Sequence, residues 1–173
     1  MPRRRSLLEE VLSLRRKLRY LVLLVLVSNV VSVLTTYYIV KESAIEEIRR
    51  LHVMKISSDI EASRLSFINA MNLLIERKAP TYVALKAIDK ARDYLRSARG
   101  SILYLGSDII GEDTYENMLS NITNINIGLA AIRNLLKANV TIERIFKKAR
   151  EQILPHYDYL SDLVSELRKK LSS

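Results

Sequence analysis

The chain carries few side chains that could do bond-making chemistry. His52 and His156 are its only two histidines, and it has no cysteine. Without cysteine there are no disulfides, thiolate metal sites or thiol nucleophiles, and redox usage leaves the compartment open. Each histidine falls on the apolar seam of a helical pattern, where imidazoles more often serve as core or boundary residues than as metal ligands. No Glu-x-x-His pair is present, which rules out the usual di-iron site of a helical bundle. His-Glu-x-x-His, a phosphate-binding Gly-rich loop, a dinucleotide fingerprint and a Gly-x-Ser-x-Gly elbow are also missing. Glu46-Glu47 and Arg49-Arg50 pair at helical spacing and read as a solvated face. Tyr82, Tyr94, Tyr104, Tyr115, Tyr157 and Tyr159 could line a ligand site between helices, but partly buried ring edges are the expected role. No catalysis and no cofactor are expected.

Recognition chemistry is better represented. Ser28, Asn29, Ser32, Thr35 and Thr36 gather on one side of an otherwise apolar run. Ser28-x-x-x-Ser32 would let two backbones approach and Asn29 could hydrogen-bond across an interface between membrane helices, with Thr36 on the same face; the alternative is that Ser and Thr bond back to their own helix. Arg15, Arg16, Lys17 and Arg19 crowd one flank of that run, as headgroup contacts or as a topology signal. Asn121-Ile122-Thr123 and Asn139-Val140-Thr141 are N-glycosylation sequons, possible acceptors at Asn121 and Asn139.

These groups need elements to hold them. Tyr20 to Val40 is a run of 21 residues without a charge, about 30 Å as a helix, the thickness of a hydrocarbon core. Tyr20, Tyr37 and Tyr38 suit the headgroup level. A cleaved signal peptide would be shorter and would end in small residues, whereas this run ends in TYYIVKES. An uncleaved signal anchor is therefore expected at 20–40, following a basic amphipathic segment, 1–19. In that segment Ser6 and Glu9 form a capping box. The net charge of +9 includes +5 in residues 1–19, so the basicity belongs to the membrane flank and no nucleic-acid partner is expected. The positive-inside rule puts the N-terminus in the cytoplasm and residues 41–173 outside.

Residues 41–173 read as an all-α domain. Only seven Gly and Pro occur in the whole chain, and none in 3–79. A first helix, 41–77, shows a seam from Ile45 and Ile48 through His52, Ile56, Ile60, Ser63, Phe67 and Met71 to Leu74. Its start, Lys41 to His52, is expected to be a stalk. Pro80 closes a Lys78-Ala79-Pro80 turn before helix 81–105, with seam Ala84, Ile88, Ala91, Leu95, Ala98, Ile102 and Leu105 and a stop at Gly106. After a loop, Asp113 caps helix 114–137, with seam Tyr115, Met118, Ile122, Ile125, Leu129, Ile132 and Leu136. Asn139 or Thr141 starts helix 141–171, with seam Ile142, Ile145, Ala149, Ile153, His156, Leu160, Leu163 and Leu167. There Pro155 imposes a kink or a break into two helices. Four helices with short connections predict an antiparallel up-down bundle.

Three functions fit this plan. The first is a non-catalytic membrane-anchored scaffold or accessory subunit, contacting membrane lipids and binding a protein partner or its own copy through the membrane helix and the bundle. The second is an extracytoplasmic ligand-sensing bundle. In architecture alone it resembles the sensing modules of bacterial and archaeal chemoreceptors, which also carry a second membrane helix and a cytoplasmic signalling region. The third is a cytoplasm-facing assembly platform of a membrane complex.

Overall fold

In a computed structural model the described residues, 3–76, 80–138 and 140–171, are almost entirely helical, with side chains described from residue 13 onward. The order is α1 (Arg3–Ile75), α2 (Thr81–Ile110), α3 (Glu112–Lys137), α4 (Ile142–Gln152) and α5 (Leu154–Lys170), and no strand occurs among the described residues. The chain divides into two compact units, Met1–Glu47 and Ile48–Ser173. The Ser6–Glu9 capping box and the Lys78-Ala79 turn lie outside the residues whose side chains are described, as does Asn139.

The 73 residues of α1 run without a break, as the lack of Gly and Pro in this stretch predicts. In the first unit, every described residue of the uncharged run is exposed, including Leu21, Leu24, Val33 and Ile39. Among the described residues one helix is thus long and apolar enough to cross a membrane.

In the second unit, α1 contributes Val53, Ile56, Ile60, Ser63, Phe67, Ala70, Met71 and Leu74 to the core. The seam predicted from Ile45 and Ile48 starts later than expected, since these two side chains are 38% and 43% exposed. All seven predicted seam residues of α2 are buried, and α3 buries six of its seven, with Tyr115 half-exposed.

Gly106 interrupts the regular helix where the sequence places its stop, with φ 72 and ψ 168, and a further helical turn follows to Ile110. Ile110 is 3% exposed, and its burial draws that turn onto the core instead of leaving a loop. Gly111, at φ 91, then joins α2 to α3 by donating its N–H to the Ser107 carbonyl at 2.7 Å. It occupies the position assigned to an Asp113 cap, because a left-handed backbone there costs glycine nothing. Glu112 and Asp113 instead lie in the first turn of α3, where their charge complements the helix dipole.

The predicted fourth helix is two helices. The break is at Ile153 (φ −120, ψ −53), with Pro155 in the first turn of α5. Pro155 has no N–H for the Glu151 carbonyl and its ring would strike that carbonyl. The helix restarts when the Ile153 carbonyl accepts the N–H groups of His156 and Tyr157.

Gly128 in α3 is set against this break. A Cβ built on it would lie 2.6 Å from Cγ1 of Ile153, which is fully buried. Ala at 128 would gain about 1 kcal/mol of helix propensity but overpacks at a cost of about 1–3 kcal/mol. Gly128→Ala is therefore expected to destabilise the protein in chemical denaturation. In an Ile153→Ala background the same change should stabilise, by about 1 kcal/mol. An unchanged sign between the two backgrounds would contradict the close approach.

Candidate membrane and interaction surfaces

The first unit holds the polar group predicted on the apolar run. Thr35 donates its hydroxyl to the Val31 carbonyl at 2.8 Å and Thr36 donates to the Ser32 carbonyl at 2.9 Å. Both threonines are thus satisfied within their own helix, as hydroxyls in apolar surroundings commonly are. Thr36 therefore does not offer its proton to another helix. Ser28, Asn29 and Ser32 make no side-chain hydrogen bond among the described residues, and all three are exposed. At one end of the run Tyr37 and Tyr38 meet edge to face with centroids 6.0 Å apart. At the other, Arg15, Arg16, Lys17 and Arg19 are exposed.

The second unit buries a polar relay joining three helices. Ser63 of α1 donates to the Ala91 carbonyl of α2 at 2.8 Å, and its oxygen lies 2.5 Å from the hydroxyl of Tyr157 in α5. Ser63 has one proton and a carbonyl can only accept, so Tyr157 donates to Ser63. Every polar atom in the relay is paired, which lets it sit in the core without the penalty of an orphaned group. The ring of Tyr157 lies 6.3 Å from that of Phe67, at 23° between planes.

Burial pushes the Tyr157 phenol well above its ordinary value, and the Ser63 bond offsets only part of this. A raised folded-state value means the neutral form is favoured by folding. Its stabilisation is complete below the unfolded phenol's pKa of about 10 and is lost as pH rises further. Above pH 10 the wild type should therefore lose stability more steeply than Tyr157→Phe in denaturation curves. Parallel slopes would mean that the hydroxyl is hydrated.

A second polar pair ties α3 to α5. Asn121 is 7% exposed; its Nδ2 donates to the Asn117 carbonyl at 2.7 Å, and its Oδ1 lies 2.7 Å from Nδ1 of His156. With the amide fixed in this sense, His156 carries a proton on Nδ1 and donates it. The side chain of Asn121 is thus turned inward, and His156 is half-buried at the edge of the core, a boundary residue as expected. The core position belongs to Tyr157, which is fully buried and not the partly buried ring edge expected of it. Tyr157 lies four residues after buried Ile153, so the inward face keeps helical spacing across the Pro155 break.

His52 stacks on Tyr104, centroids 4.1 Å apart, pinning α1 to α2. Lys55 reaches Ser97 at 2.6 Å, and Arg64 pairs with Asp158 and Arg133 with Asp89. Such exposed ion pairs contribute about 0–1 kcal/mol each and fix register more than stability. Tyr82, Tyr104 and Tyr159 are exposed, Tyr94 and Tyr115 half-buried. Among the described residues no group of three or more His, Asp or Glu gathers where a metal ion could be held.

The chain matches no protein-family model, no curated protein and no solved structure.

Proposed function

We propose that this is a non-catalytic, single-pass membrane protein, a helical scaffold or accessory subunit that works through protein–protein contacts. The observation that carries the reading is the 21-residue uncharged stretch of α1, whose Leu, Val and Ile side chains are all exposed. That stretch contains thirteen Leu, Val and Ile residues. Each favours insertion by roughly 0.3–0.6 kcal/mol, enough together to outweigh one asparagine. Water would not tolerate so large an apolar sheath.

Residues 41–173 form an antiparallel up-down bundle on the outer side of the membrane. The pairings His52–Tyr104, Lys55–Ser97 and Ser63–Ala91 support this, since residue numbers rise along α1 as they fall along α2. The excess of Lys and Arg before the segment supports a cytoplasmic N-terminus. Ser28, Asn29 and Ser32 form the contact with another membrane helix, of its own copy or of a partner. An unpaired Asn in lipid gains on the order of 1 kcal/mol from a bond across an interface.

Purification of the full chain from native membranes in mild detergent tests the reading. A partner recovered at fixed stoichiometry, or a homo-oligomer, is expected, and Asn29→Leu should weaken that association several-fold. A monomer recovered alone, and unaffected by Asn29→Leu, would overturn it.

A further inference from the structure

A cleft of about 300 Å³ opens between α1 and the α4–α5 break, within the size range of small-ligand sites. Its walls are apolar. Both phenylalanines of the chain, Phe67 and Phe146, line it with Ile68, Met71 and Leu154. Exposed Asn72 and Arg150 complete the lining. A neighbouring hollow shares Phe146 and Arg150 and adds Lys147 and Glu151. Lys147 and Arg150 form no ion pair or hydrogen bond among the described residues, whereas Lys55, Arg64, Arg96 and Arg133 each pair with an aspartate. An apolar slot beside two cations that form no ion pair, with the single carboxylate of Glu151 in the neighbouring hollow, is complementary to an apolar chain ending in a negative charge.

We infer that this cleft binds a single-chain anionic amphiphile of the fatty-acid type. The acyl chain lies against Phe67, Met71 and Phe146, and the carboxylate meets Arg150, whose planar guanidinium suits two parallel hydrogen bonds, with Lys147 adding charge. The volume accommodates one chain and not two. Affinity rises roughly fourfold per added methylene until the cleft is filled. The inference is independent of which way the chain crosses the membrane.

The test uses the full chain in lipid nanodiscs and a photoactivatable dodecanoate with a diazirine on its chain, mapped by peptide mass spectrometry. Saturable adducts are expected in 67–72 and 146–154, suppressed at least fivefold by excess dodecanoate. Label in 20–40 should rise without saturation, as simple partitioning into lipid predicts. Lys147→Glu with Arg150→Glu should reduce the cleft adducts about tenfold while leaving label in 20–40 unchanged. The same photolabel with a trimethylammonium head should label the cleft poorly. Cleft labelling that ignores head charge would overturn the proposal in favour of a groove for an apolar segment of a protein. No saturable labelling at all would overturn it outright.

Discussion

Tyr157→Ala is expected to lower the unfolding free energy of the helical domain by about 3–5 kcal/mol, the range for deleting a large ring from a packed core. Against a typical total of about 5–15 kcal/mol, such a loss brings a domain of this size near its threshold. Tyr157 is the largest fully buried side chain, so its removal leaves a cavity among Phe67, α1 and α5 that close-packed neighbours refill only in part. The polar terms set an order among the simpler variants. Tyr157→Phe keeps the ring and loses one bond, while Ser63 still donates to Ala91, so about 1 kcal/mol is expected. Ser63→Ala strands the Tyr157 hydroxyl in the core and should cost more, about 1–3 kcal/mol. Denaturant unfolding of the full chain, followed by circular dichroism, gives the ranking. If Tyr157→Ala cost no more than Tyr157→Phe, the ring would not be packed as described.

The parts of this fold that were legible from sequence are those where one physical rule acts alone. The seams of α2 and α3 keep strict spacings of three and four, and nearly all of their members are buried, because each helix presents one face to a core on a single side. The break near Pro155 was legible because a missing N–H leaves a carbonyl unpaired in any context. Where two rules compete, the sequence is ambiguous. Gly106 and Gly111 look like the ends of a loop, yet the burial of Ile110 holds a helical turn between them. The seam predicted for the fourth helix runs through His156, but Tyr157, four residues after Ile153, takes the inward position, while Leu160, Leu163 and Leu167 are buried as predicted. The α1 pattern continues through Ile48, beyond the point where His52 stacks on Tyr104 just before the Gly106 break, so the periodicity outlasts the partner helix.

Of the candidate site residues, those in the apolar run could be placed from composition, and back-bonding of the threonines was one of the two readings open there. Thr35 and Thr36 back-bond within α1 because a hydroxyl can reach the carbonyl four residues earlier. Asn29 makes no such bond, although Asn121 in α3 does, so composition alone does not decide which of these side chains stays open. Asn121 shows the limit of motif reading. The Asn-x-Thr triplet carries no information about burial, and it is the contact with His156, thirty-five residues away, that takes the amide into the interior.

Reversing four charges should turn the chain around in the membrane. Before the apolar run there are seven Lys and Arg; within about twenty residues after it there are four, Lys41, Arg49, Arg50 and Lys55. Changing Arg15, Arg16, Lys17 and Arg19 to Glu leaves three before and four after, so the bias that retains the N-terminus in the cytoplasm is lost. The chain has no cysteine, so an introduced thiol is a unique reporter. Ser58 is exposed in α1 and Ser58→Cys is nearly isosteric, so labelling reads topology and not folding. A membrane-impermeant maleimide applied to intact cells should label Ser58→Cys in the native background. In the charge-reversed background most of that thiol should become accessible only after permeabilisation. Native labelling that already requires permeabilisation would put the bundle in the cytoplasm and favour the assembly-platform function. Labelling from outside in both backgrounds would mean that folding of the 48–173 unit, not the basic flank, decides the orientation.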